Sequence, residues 1–149
     1  MRLIRRARRL RVNDIAREMK MPLRSYEYLE SGKGRVSFER VMAFARATDT
    51  DGWALLASGP LNSPEFALRC ADNKLMTILM ITMKELDEDL GDDIVFLEPG
   101  ALIGAFTRVR NDLTQHVRKR DQFAETWLNE KAPMLGRWLN DGPKGSGDD

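Results

Sequence analysis

One cysteine and one histidine in 149 residues leave little room for metal or redox chemistry. Cys70 cannot form an internal disulfide, and with His116 it falls short of a zinc ligand set. Long hydrophobic runs are also missing. The longest near-apolar stretch, Leu75 to Met83, is far too short to cross a bilayer. The chain does not open on an apolar segment behind a basic leader, because its first arginines run straight into helical periodicity. A cytoplasmic protein with no membrane partner is the expectation. Absent too are the alternating pattern of strands and any Ser/His/Asp, Cys/His or phosphate-loop constellation, so neither a sheet, an enzyme nor a cofactor is expected.

What the chain does have is helical periodicity throughout, with 42% apolar and 32% charged residues, which excludes wholesale disorder. The fold class is therefore all-α. Charge is unevenly spread: residues 1–59 hold 13 Lys and Arg against 7 Asp and Glu, a net +6, and residues 60–149 hold 11 against 16, a net −5. A basic first half points to a polyanion as its partner, with plain surface variation as the alternative. The run Ser58-Gly-Pro-Leu-Asn-Ser-Pro64 stops one helix and starts another, which sets a domain boundary there. Residues 1–59 then form a compact helical domain, 60–140 a second helical domain, and 141–149 a disordered tail.

The second domain reads as a small bundle of about three helices. Ser63 and Pro64 are an N-cap and first helical residue, opening a helix to about Leu90. A second helix starts near Glu98-Pro99 and carries Leu102, Phe106, Val109, Leu113 and Val117 on one stripe. A third carries Phe123, Trp127 and Leu128, with an interruption near Pro133. Leu75, Met76, Leu79, Met80 and Met83 make the first of these helices apolar on nearly every face. They are expected in a core or a dimer seam, with a ligand pocket as the other reading of the methionines, and the excess favours a homodimer.

In the first domain a short helix, a tight turn and a second helix follow one another. Ile15, Ala16 and Met19 line the inner face of the first, and Met21 plugs the turn. Pro22 opens the second, where Tyr26 and Leu29 lie at i, i+3 and point inward, leaving Leu23, Arg24, Glu27 and Tyr28 outside.

The run from Leu3 to Leu56, above all IAREMKMPLRSYEYLESGKGRVSFERVMAFARA, resembles the lambda-repressor-like (Cro and XRE) helix-turn-helix domain. The resemblance rests on Ile4-Arg5, Leu10, Ile15-Ala16, Glu30-Ser-Gly-Lys, Ser37, Phe44-Ala45 and Leu55-Leu56. It implies a five-helix domain that binds double-stranded DNA, and a transcription regulator, more readily a repressor than an activator, of a bacterial or phage type. It also implies that Arg5 and Glu30 form a salt bridge bracing the reading helix, that Leu23, Arg24 and Tyr28 meet base edges, and that Ser25, Lys33 and Arg35 hold phosphates. A dimer would read two half-sites one helical turn apart.

The sequence departs from the family pattern at Arg11, Val12 and Lys20, which stand where a polar cap, a glutamine phosphate ligand and a turn glycine are usual. Arg8, Arg9 and Arg11 are expected to replace the missing phosphate anchor by charge. The acidic run Asp87 to Glu98 matches a calcium loop at positions 1, 3, 8 and 12. It fails where Gly91 replaces a ligand and Asp92 the turn glycine, so it reads as a solvated loop between helices. The rival to a regulator is an antitoxin-like or adaptor protein whose second half binds a protein partner. The acidic half could in either case face RNA polymerase or a co-regulator.

Overall fold

A computed structural model describes residues 1–140, the side chains at 121 and 132–140 excepted. The tail expected at 141–149 lies outside the described residues. Among the described residues there is no strand, and the protein is all-α. Five helices come first: α1 (Arg2–Ala7), α2 (Val12–Glu18), α3 (Leu23–Glu30), α4 (Phe38–Thr48) and α5 (Gly52–Ala57). Then follow α6 (Pro64–Arg69), α7 (Leu75–Leu90), a 3-10 turn at Gly91–Phe96, and α8 (Pro99–Asn140).

The chain divides into two compact units between Asp92 and Asp93, so the first extends well past the boundary expected at Ser58–Pro64. Its core joins Ile4 of α1, Ile15 and Ala16 of α2, Tyr26 of α3 and Phe44 of α4 with Ala67 of α6. The Tyr26 and Phe44 rings stack at 6.5 Å between centroids. Burying side chains of this size stabilises by about 1.5–3 kcal/mol each, which is how such short helices persist. Val12 packs against the same cluster, which gives this departure from the family pattern a structural role.

Glycine is scarce at the helix ends. The amides of Lys20 and Met21 reach back to the carbonyls of Arg17 and Ala16 at 2.9 and 3.0 Å, a Schellman cap, and α1 and α4 end the same way at Arg9 and Asp49. The left-handed residue of each cap carries a side chain, with φ of 54° at Arg9, 53° at Lys20 and 48° at Asp49. Lys20→Gly is therefore expected to raise stability by about 0.5–1 kcal/mol, read as a higher urea midpoint at unchanged slope. A lower midpoint would mean that the lysine side chain contributes more than its backbone strain removes.

The single helix expected from Ser63 to about Leu90 is two helices, broken at residues 70–74. Asn73 Oδ1 accepts the Leu75 amide at 3.0 Å, and Asp51 Oδ2 accepts the Met76 and Thr77 amides at 2.8 and 3.2 Å, so α7 has its own start. α7 packs along α5 with no fully buried residue. Met76, Met80 and Met83 are half-buried, and Leu75 and Leu79 lie exposed. The expected second and third helices of the bundle are one: α8 runs for 42 residues through Pro133. The residues at 105–132 contain neither glycine nor proline to interrupt it. The run Asp87–Glu98 is not a plain loop either, since α7 continues to Leu90 and the 3-10 turn covers 91–96.

Candidate nucleic-acid interface

The inner side of α3 is fixed at three points. Tyr26 and Leu29 are buried, and Arg5 of α1 grips Glu30 with two hydrogen bonds, Nε donating to Oε1 at 2.6 Å and Nη2 to Oε2 at 2.9 Å. The Tyr26 hydroxyl donates to Glu30 Oε1 at 3.0 Å, and Arg2 Nε lies 3.8 Å from Oε2. The side chains of Arg5 and Glu30 are only 17% and 7% exposed, so little water competes with the pair. Burial alone would push the Glu30 carboxyl up. The hydrogen bonds from Arg5 and Tyr26 and the charges of Arg5 and Arg2 outweigh it and hold the group below its ordinary value. Burial, with the bond to Glu30, moves the Tyr26 hydroxyl far upward, so it stays protonated as a donor.

The outer side of α3 is open. Leu23, Arg24, Ser25, Glu27 and Tyr28 are all exposed, Tyr28 by 57%. Beyond the helix, the Gly34 amide donates to the Tyr28 carbonyl at 3.0 Å. A Cβ on Gly34 would stand 2.9 Å from Leu29 Cα, so only glycine lets this loop close on the helix. The closure sets exposed Lys33 and Arg35 beside α3. Arg24, Ser25, Tyr28, Gly34, Arg35 and Arg40 together line an open depression of about 450 Å³.

Arg40 is a member that the sequence reading misses. Its Nη1 donates to the Arg35 carbonyl at 2.8 Å and its amide to the Ser37 hydroxyl at 3.3 Å. A signal existed in its place one turn after the N-cap Ser37, but only the folded loop brings that turn to α3. Three guanidinium groups with two hydroxyls suit acceptors arranged in pairs, whether phosphate oxygens or the edge of a guanine.

The remaining expected phosphate contacts divide. Arg9 and Arg11 are exposed. Arg8 is paired at the surface, its Nη2 donating to Asp72 Oδ1 at 2.5 Å and to the Asp49 carbonyl at 3.2 Å. Lys74 Nζ reaches the same Asp49 carbonyl at 2.8 Å. These bonds fasten the turn after α6 to α1 and to the end of α4. Cys70, in that turn, is buried, and burial pushes its thiol up, the reverse of an activated cysteine.

Among the described residues no cluster of His, Cys, Asp and Glu could hold a metal ion, and no helix is long and apolar enough to cross a membrane. Compared with known proteins, the chain matches no protein-family model, no curated protein and no solved structure.

Proposed function

We propose that this protein is a sequence-specific, DNA-binding transcription regulator of the helix-turn-helix kind, with α3 as its reading helix. One observation carries the proposal: α3 is clamped from behind by Arg5, Glu30, Tyr26 and Leu29 while Leu23, Arg24 and Tyr28 stand free on its outer face. A reading helix needs that division, because base edges are recognised only by side chains held in a fixed register. Arg24 is assigned to guanine O6 and N7, Leu23 to a thymine methyl, and Tyr28 to a neighbouring base edge. Ser25, Lys33 and Arg35, joined by Arg40, take the phosphates, with Arg9 and Arg11 at the end of α1. Arg8 joins them by exchanging the exposed carboxylate of Asp72 for a phosphate. The protein acts in the cytoplasm on the nucleoid, as a homodimer on a palindromic operator, and repression is the favoured sign.

The test starts with selection of bound sites from randomised duplex DNA. Arg24→Ala is expected to weaken the selected site by about 10- to 100-fold and to leave random DNA nearly unchanged. Lys33→Ala or Arg35→Ala is expected to weaken both alike and to lower the salt slope by about one. Equal loss on both DNAs for Arg24→Ala would remove it as a base reader, and no enrichment at all would remove the proposal. A second reading, an adaptor or antitoxin-like protein, is favoured by the exposed apolar residues of α8. It gains if the chain purifies only with another protein and selects no site.

A further inference from the structure

α8 is long, amphipathic and largely uncovered. Phe106, Val109, Leu113, Val117, Trp127 and Leu128 are all exposed, and their spacing sets them on one stripe of the helix. At 1.5 Å per residue the 42 residues extend about 63 Å, so the stripe, interrupted at Arg120, is an apolar surface of a size that marks an interface. Charge along the same helix is divided end to end. Residues 108–120 carry five Lys and Arg against one Asp, and residues 121–130 carry three Asp and Glu with no cation.

We propose that α8 pairs with α8 of a second copy of this chain, in antiparallel orientation. Parallel pairing would lay five cations against five and carboxylates against carboxylates. Reversing one copy lays the basic segment over the acidic one, and a two-fold axis satisfies both contacts at once. The helix is therefore complementary to itself only when reversed, which argues for a second copy over an unrelated partner. A register with Leu113 opposite Leu128 also sets Val117 opposite Ala124 and Arg120 opposite Asp121, so a large residue meets a small one near the centre and residues 111–120 of each copy lie over 121–130 of the other. The pairing needs no DNA and stands or falls apart from the reading of α3.

The full chain, with Cys70→Ala, is spin-labelled through a cysteine at Ala101 or at Gln115, both exposed and off the stripe. Antiparallel pairing gives labels about 60 Å apart at position 101 and within about 30 Å at position 115, whereas parallel pairing gives the same short distance at both. Equal distances would overturn the orientation, and a monomer in sedimentation at tens of micromolar would overturn the pairing. Leu113→Asp, at a position exposed within one chain and so harmless to its fold, is expected to raise the dimer dissociation constant at least about tenfold. An unchanged constant would move the interface off this stripe.

Discussion

Asp51→Ala is expected to lower the stability of the protein by about 3–5 kcal/mol, since it removes two helix caps and leaves buried amides without partners. Asp51 is fully buried. Its Oδ1 accepts the amides of Trp53 and Ala54 at 3.1 and 3.2 Å, starting α5, and also the Thr77 hydroxyl at 2.8 Å. Its Oδ2 accepts the amides of Met76 and Thr77, starting α7. One carboxylate thus stands at the positive ends of two helices. Asp51→Asn keeps one acceptor oxygen and turns the other into a donor, so about half of that loss is expected. Urea unfolding measures the total, and amide hydrogen exchange localises it. The account fails if the alanine variant loses under about 1 kcal/mol or if the Met76 and Thr77 amides keep their protection.

The second large effect is at Glu30. Glu30→Ala strands the Arg5 guanidinium against the protein and is expected to cost about 3 kcal/mol at neutral pH, because breaking a mostly buried pair leaves a charge without its partner. The pair also carries a pH signature. The folded-state carboxyl titrates below its ordinary value of 4.5, so the unfolded chain binds the proton first as pH falls. Its contribution is complete above the unfolded value and is lost as pH drops through the folded one. Stability of the wild type should therefore fall more steeply than that of Glu30→Gln below about pH 4.5. Parallel slopes for the two proteins would mean that Glu30 titrates alike in both states.

What the sequence made legible was what local spacing controls. The inward turn of Tyr26 and Leu29 follows from i, i+3 geometry, and the outward set Leu23, Arg24, Glu27 and Tyr28 is its complement. Arg5 and Glu30 were reached through the family resemblance, because no periodicity relates positions 25 apart. The break between α6 and α7 had a sign in Asn73, a capping residue just before an apolar run. The neighbouring Cys70-Ala71 carry no glycine or proline to announce it. Asp51 had half a signature: Asp before Gly-Trp-Ala is an N-cap for α5, whereas its bonds to Met76 and Thr77 arise only from packing. The capture of Arg8 by Asp72 is likewise tertiary. The continuity of α8 was hidden by Pro133, which argues for a stop where the helix continues.

The length of α8 sets the span of a reversed pair. With Leu113 opposite Leu128 in a reversed pair, the two copies of Pro99 stand roughly 65 Å apart at 1.5 Å per residue. That span is close to two turns of DNA, about 68 Å, and about twice one turn, about 34 Å.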